Sequence, residues 1–311
     1  DMLLAAPMPI YMGYASNTYT NIGEANNRGI EMNLEWRDKT ESGFEYNVGV
    51  NMSTIRNRMT KLNGGTPISD GPFRNGSMYL TYTNEGMPIG AFWGYKTDGL
   101  IQTQEQLNAV KRADFQPNAE LGDVLFVDTN GDGKLDSSDR CMIGNPIPDI
   151  IYGINMGMAW KGFDLNLQFG GTIGNQIFNA MRYYTYFPND ITNKDRALMN
   201  YWTPNNTNTD IPRLTATDVN DNDRFSDMYV ENGTYFRLRN AQLGYTLPAS
   251  LTQRIKLQKV RFYVSGQNLF TISSYSGMDP EVGQSSSLSR GIDYGIYPQN
   301  ISFTGGINVT F

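Results

Sequence analysis

The stretch from residue 128 to residue 139, DTNGDGKLDSSD, carries the most recognisable chemistry in this sequence. In an EF-hand-type loop, oxygen ligands at alternate positions surround one hard cation, and residues with side-chain oxygens recur at most of those positions here. Gly133 occupies the position where such a loop bends sharply. The candidate ligands are Asp128, Asn130, Asp132, Lys134 through its carbonyl, Asp136 and Asp139. This register predicts a structural Ca²⁺ ion, or Mg²⁺ if the ligand shell is octahedral.

Two features separate this loop from a regulatory EF-hand. Asp139 stands at position 12, where an EF-hand has the longer Glu, and the preceding residues 122–127 have a strand-like pattern rather than a helical one. A metal-free turn rich in Asp, Asn and Gly is the alternative. Nothing nearby in the sequence offers a nucleophile or a base, so the predicted role of the ion is structural.

A second candidate site is aromatic. Residues 181–190 read MRYYTYFPND, and Tyr201 and Trp202 follow. Aromatic rings can stack on sugars, and the predicted substrate-binding residues are Tyr183, Tyr184, Tyr186 and Trp202. The alternative is that these rings pack within their own loop.

Composition excludes several classes of function. The 311 residues contain no histidine, which removes Ser-His-Asp and Cys-His catalysis and the zinc-hydrolase motifs. Cys141 is the single cysteine, so an intrachain disulfide framework is excluded. A net charge of -6 argues against a nucleic-acid partner. Asp279 and Glu281 could form the carboxylate pair of a glycoside hydrolase, but the favoured prediction is that the chain is not an enzyme.

The elements that must position these residues are strands. Alternating apolar and polar residues recur in seven segments, which are 28–37, 43–57, 150–161, 162–173, 233–246, 259–271 and 299–311. Side chains of a strand alternate between its two faces, so each segment has one apolar face and one polar face. The polar faces are rich in Asn, Gly, Ser and Gln, as in a water-filled lumen, whereas the outer face of a soluble sandwich carries Lys and Glu. The pattern predicts an all-β, transmembrane antiparallel β-barrel.

The hairpin at 151–170 shows the division between lipid and lumen most clearly. Each of its strands has about ten residues, which suits a tilted crossing of the bilayer. The residues expected to face lipid are Met156, Met158, Leu165 and Leu167. The residues expected to face the lumen are Asn155, Asn166 and Gln168.

Connection lengths support a barrel. The short links 38–43, 161–162 and 247–258 fall on one side, and the last of them should include one helical turn. The excursions 58–149, 174–232 and 272–298 fall on the other side, as expected for long extracellular loops. Seven strands are too few and odd in number, so further strands should lie upstream, in keeping with a start that lacks a signal peptide. The alternating final strand ends on Phe311, the expected assembly signal of an outer-membrane barrel.

The whole chain resembles the C-terminal part of SusC-like TonB-dependent transporters of the Bacteroidota outer membrane. The segments that carry the resemblance are NRGIEMNLEW (27–36), EGMPIGAFWGYKTDGLIQ (85–102), GDVLFVDTNGDGKLDSSDRCMIGNPIPDIIYGIN (122–155), YFRLRNAQLGYTLP (235–248) and VSGQNLFTISSYSGMDPE (264–281). Cys141 departs from the Thr-like residue that is more usual in the family.

The resemblance implies a barrel of about 22 strands with an N-terminal plug, of which this chain supplies about seven strands. It also implies energy from TonB, a SusD-like lipoprotein as a lid over the outer loops, and import of oligosaccharides or peptides. The alternative is a secreted carbohydrate-binding β-protein with a calcium-stapled loop. Dependence on detergent for solubility would distinguish the two, because a barrel needs its apolar band covered.

Overall fold

A computed structural model describes residues 2–6, 18–62, 67–187, 193–283 and 286–311. Its largest sheet has seven antiparallel strands, and strands that are consecutive among these seven are neighbours. The seven strands, here called the barrel sheet, are Glu31–Lys39, Glu45–Thr54, Ile150–Trp160, Phe163–Ile173, Tyr235–Thr246, Lys259–Ser273 and Ser302–Thr310. Each corresponds to one of the seven segments predicted from alternation, which confirms that part of the fold.

The connections of the barrel sheet separate by length. Residues 40–44, 161–162 and 247–258 link strands at one edge, and residues 55–149, 174–234 and 274–301 link them at the other. The two-residue turn has φ of 47° at Lys161 and 88° at Gly162, the left-handed conformation that a tight hairpin with right-handed strand twist requires. The link 247–258 contains the predicted helical turn, as an α-helix (Ala249–Thr252) followed by a 3₁₀-helix (Gln253–Ile255).

Apolar residues form continuous rows on one face of the barrel sheet. Near the short turns, cross-strand pairing places four aromatic residues in register, which are Trp160, Phe163, Tyr245 and Phe262. Further along the strands, four aliphatic residues pair in the same way, and these are Met158, Leu165, Leu243 and Val264. Toward the long connections a second group of rings contacts Phe236, and it comprises Tyr152, Phe169 and Phe270.

This apolar face has no protein cover in the described part of the chain. Val264 is 61% exposed, and Met158 and Leu243 are also exposed. In a β-sandwich such side chains would pack against a second sheet about 10 Å away. The arrangement, an apolar band flanked by aromatic rows, is that of a lipid-facing barrel wall.

Glycines on the opposite, polar face make room for long polar neighbours. A Cβ atom at Gly157 would lie 2.2 Å from the Asn47 Oδ1 atom, and one at Gly170 would lie 2.8 Å from the Arg239 Nε atom. Polar side chains therefore lie flat over the glycines instead of projecting from the wall.

Four smaller sheets lie outside the barrel sheet. One contains Met2–Ala6, Thr18–Arg28 and Arg56–Leu62, and a second contains Ile68–Phe73, Met78–Thr83, Ala91–Gly94 and Cys141–Gly144. The other two pair Thr97–Leu100 with Val124–Phe126, and Gln176–Asn179 with Val230–Asn232 and Ile292–Asp293. Apart from the strand-like pattern at residues 122–127, which contains Val124–Phe126, the sequence patterns did not predict these strands.

Helices are few and short in the part of the chain that the structure describes. The α-helices besides Ala249–Thr252 are Gln104–Arg112 and Ala180–Tyr186. The 3₁₀-helices besides Gln253–Ile255 are Ser137–Asp139, Arg196–Asn200 and Asp227–Tyr229. Among the described residues, no helix has both the length and the apolar character needed to span a bilayer.

The three long connections share one hydrophobic core, here called the loop core. Its buried members are Phe73, Leu80, Phe92, Phe178, Ala180, Tyr183, Phe187, Phe225, Tyr229 and Ile292. The first connection supplies the first three, the second supplies the next six, and the third supplies Ile292. Because every member lies outside the barrel sheet, the loops are packed mainly by one another.

Candidate functional site

The 128–139 loop is organised by its own carboxylate and amide side chains. Asp128 accepts backbone N–H bonds from Gly131 at 2.7 Å and from Gly133 at 2.9 Å. Both glycines have positive φ, 76° and 78°, which the tight wrapping demands. These hydrogen bonds, that from Gly133 first, hold the pKa of the Asp128 carboxyl below its ordinary value. The carboxylate is therefore charged at neutral pH.

Asp139 closes the two ends of this loop. Its Oδ1 atom accepts the Thr129 N–H at 3.0 Å, and its Oδ2 atom accepts the Asp136 N–H at 2.9 Å. Asp139 is fully buried, and its side chain lies beside that of Asp128. Asp136 in turn caps the short 3₁₀-helix by accepting the Ser138 N–H. The two carboxylates at positions 1 and 12 thus lie side by side.

The acidic side chains of the 128–139 loop do not all converge on one point. Within the described ranges, no three Asp, Glu, Cys or His side chains lie close enough together to hold a metal ion. Asn130 and Asp132 accept the backbone N–H groups of Asp132 and Lys134, each at 2.9 Å, and so hold successive turns of the loop. The predicted cation site therefore stays a prediction.

The four predicted aromatic residues do not form one platform. Tyr183 is 4% exposed and belongs to the loop core, whereas Trp202 is 6% exposed and belongs to a separate cluster with Phe126. The Trp202 ring lies against Gly122, and its Nε1 atom donates to Gln102 at 2.8 Å. Tyr184 and Tyr186 are half-buried. The arrangement favours the packing alternative for Trp202.

Two pockets flank the helix that carries three of these tyrosines. The first has a volume of about 480 Å³, and its lining is Arg74, Asn75, Ser77, Tyr183, Tyr184, Phe187 and Asp223. The second has a volume of about 350 Å³ and includes Met181, Arg182, Tyr186 and Met278 in its lining. Asn179 caps the helix by accepting the Arg182 N–H at 2.9 Å. The helix thus places Tyr183 and Tyr184 at the first pocket and Tyr186 at the second.

Asp279 and Glu281 are paired with arginines rather than with each other. Arg237 donates to Asp279 and, at 2.9 Å, to Glu281, while its Nε atom donates to Thr271 at 2.8 Å. Arg239 forms a second ion pair with Glu281 at 3.2 Å. These four charged side chains, here called the arginine clamp, tie the connection 274–301 to the wall. The glycoside hydrolase alternative does not fit, because both carboxylates are held in ion pairs.

Comparison with known proteins identifies the fold family. A family model described as "TonB dependent receptor-like, beta-barrel" matches residues 1–130. TonB-dependent receptor P3 of Formosa agariphila is 36% identical across 100% of this chain. By these matches the chain is similar to the TonB-dependent receptors. TonB-dependent receptor SusC of Bacteroides thetaiotaomicron is 26% identical, again across the whole chain.

A solved transporter structure has the same fold. The structure titled "Structure of the RagAB peptide transporter" matches 100% of the chain with a TM-score of 0.77 and 25% identity. The chain spans 31% of the length of the Formosa relative, 29% of SusC and 32% of the RagAB chain. The predicted β-barrel fold is confirmed, and the barrel is not closed within the described residues. The relatives are named receptors and transporters, which confirms the prediction that the chain is not an enzyme.

Proposed function

We propose that this chain forms part of the wall and outer loops of a TonB-dependent transporter in the outer membrane of a Gram-negative bacterium. The supporting observation is the barrel sheet itself, with an uncovered apolar face between two aromatic groups and a glycine-rich polar face. A secreted carbohydrate-binding protein would leave that apolar face in water, at a large cost in free energy.

The proposed cargo is an oligosaccharide or a peptide, taken up together with a SusD-like lipoprotein lid. Support comes from the whole-chain similarity to SusC and to a protein whose structure is titled as a peptide transporter. TonB would act through parts of the protein outside this chain. The half-buried Tyr184 and Tyr186 are the proposed aromatic contacts for cargo, with Tyr183 contributing through its hydroxyl.

Uptake and localisation by the full-length protein test this function. Cells that express it should retain it in the outer-membrane fraction and should take up a labelled glycan or peptide when TonB is present. Loss of TonB should abolish uptake while leaving the amount of membrane-inserted protein unchanged. A soluble protein, or uptake that does not depend on TonB, would contradict the proposal.

We also propose that the 128–139 loop binds one structural cation, Ca²⁺ rather than Mg²⁺ as the first choice. The support is the EF-hand-type register, the charged Asp128 beside the buried Asp139, and the cost of holding two carboxylates together without a counter-charge. Each of their oxygens accepts one backbone N–H and keeps a second lone pair for an ion. The proposed role of the ion is to hold the loop in its folded conformation.

Elemental analysis of the purified full-length protein tests the cation. The native protein should carry about one Ca²⁺ per chain in this loop, and Asp128→Asn should remove it. Asp114→Asn, a change of an acidic residue outside the loop, serves as the control. Equal metal content in all three proteins would show that the loop holds no ion.

A further inference from the structure

The first of the two pockets beside the helix Ala180–Tyr186 has a built polar rim. The Arg74 Nη1 atom donates to the Asp223 Oδ2 atom at 2.8 Å and to the Tyr183 hydroxyl at 3.0 Å. Tyr183 also donates to Asp223 at 3.3 Å. The three side chains come from two connections that are far apart in sequence, and the loop core beneath them fixes their positions.

The backbone at this rim forms the tight hairpin turn between the strands Ile68–Phe73 and Met78–Thr83. Arg74 and Asn75 have φ of 48° and 58°, and the Gly76 N–H donates to the Phe73 carbonyl at 3.1 Å. Two consecutive residues with positive φ are what such a turn requires. The turn places the Arg74 guanidinium over the Tyr183 ring.

The rim retains both donor and acceptor capacity. Among the described residues, the Arg74 Nε and Nη2 atoms make no hydrogen bond, and neither does the Asp223 Oδ1 atom. Both side chains are partly exposed. A hydroxyl group both donates and accepts, so two adjacent hydroxyls match an arginine and a carboxylate held side by side. Tyr184 adds an aromatic wall, against which the C–H face of a sugar ring can pack.

Charge and shape narrow the class of ligand. The Arg74 charge is offset by Asp223, so the pocket does not attract an ion of either sign strongly. A peptide main chain is recognised by an open strand edge, whereas side-chain groups line this pocket. The pocket volume of about 480 Å³ is in the range of sites that bind small molecules.

We propose that this pocket is a subsite for one neutral sugar residue with two adjacent free hydroxyls. The inference rests on the import function proposed above and deepens it, because it names the class of cargo. Arg74 and Asp223 bind the hydroxyl pair, Tyr184 packs against the ring, and Tyr183 positions Arg74.

Calorimetric titration of the full-length transporter in detergent tests the subsite. The probes are neutral hexasaccharides (maltohexaose, cellohexaose, laminarihexaose and xylohexaose), an oligogalacturonate and a mixed peptide pool. Asp223→Asn should weaken the binding of the neutral sugar roughly tenfold and should strengthen that of the oligogalacturonate, because Arg74 loses its counter-charge. Tyr184→Ala should weaken sugar binding by a similar factor, and Tyr184→Phe should retain it.

Asp221→Asn is the matched control, because Asp221 lies on the same segment and pairs with Arg224 at the surface. It should leave all affinities within about twofold of the native values. Binding of a neutral sugar that Asp223→Asn and Tyr184→Ala do not change would overturn the subsite and leave the import function standing. Binding of the peptide pool alone, or of no probe, would also overturn it. Absence of TonB-dependent uptake of any cargo by cells would instead contradict the import function.

Discussion

Arg237 is a buried cation in which all three guanidinium nitrogens have oxygen partners. It is 2% exposed and contacts Thr271, Asp279 and Glu281. Removing one partner of a buried ion pair leaves an uncompensated charge, so Arg237→Met should reduce stability by about 3–5 kcal/mol. Protease resistance and thermal unfolding of the detergent-solubilised full-length protein would measure the loss, which should be largest in residues 274–301.

Arg239→Met is the control for this prediction. Arg239 bonds to Glu281 but is 43% exposed, so solvent screens its ion pair. Its loss should cost less than about 1 kcal/mol. Equal effects of the two substitutions would show that burial of Arg237 adds nothing to the clamp.

The arginine clamp should open in acid. Burial alone would raise the pKa of Asp279, but N–H groups of Gln299 and Glu281 together with Arg237 lower it below the ordinary value. A carboxyl with a lowered folded-state pKa contributes stability above its unfolded value, near pH 4, and loses it as the pH falls further. Hydrogen-exchange protection of residues 274–283, taken relative to the intrinsic exchange rate at each pH, should therefore be high from pH 7 to about pH 4 and lower below. Asp279→Asn should remove this pH dependence, and opening near pH 6 would contradict the assignment.

At the scale of elements, the hairpin of strands Ile150–Trp160 and Phe163–Ile173 separates two solvents. Leu165 lies in the aliphatic row of the apolar face, and its neighbour Asn166 lies on the polar face. Arg at position 165 should cost about 2–4 kcal/mol if it is near the bilayer midplane, whereas Arg at position 166 should be tolerated. Urea unfolding in lipid vesicles measures both variants. Similar costs at the two positions would contradict the assigned faces.

The barrel strands were predictable because each is long and alternates over its full length. A strand of nine to fifteen residues shows its period in the sequence alone. Val124–Phe126 lies in a segment whose pattern is strand-like, but this strand has three residues and its partner Thr97–Leu100 has four. Neither strand is long enough for a period that would predict their pairing. The lengths of the connections predicted the side of the barrel on which each loop lies, but they did not predict the small sheets that the long loops contain.

The candidate sites were less predictable than the strands. Residue type made Tyr183, Tyr184 and Trp202 equal candidates, but burial of Trp202 depends on Gly122, which is 80 positions earlier in the printed sequence. The pairing of Arg237 with Asp279 spans 42 positions. One feature of the sequence could have indicated these ion pairs. Arg237 and Arg239 lie in a strand whose polar face is otherwise uncharged, and a buried arginine requires an acidic partner.

At the scale of the whole molecule, the loops rather than the barrel sheet contain the main core. Phe178 is fully buried at its centre and contacts Phe73 from the first connection and Phe225 from its own. Its backbone N–H donates to Gly291 of the third connection at 2.8 Å. The three connections should therefore behave as one cooperative unit, distinct from the barrel wall.

Phe178→Ala should test this cooperation. Loss of a large buried ring costs about 3–5 kcal/mol, because a cavity remains where the ring contacted its neighbours. Limited proteolysis of the full-length protein should then cut all three connections together, while the barrel keeps the heat-modifiable migration of a folded β-barrel. Phe303→Ala, at an exposed position of the apolar face, should leave the loops protected. Cleavage confined to residues 174–234 would show instead that each connection is stable by itself, and that the loop core is a contact surface rather than a folding unit.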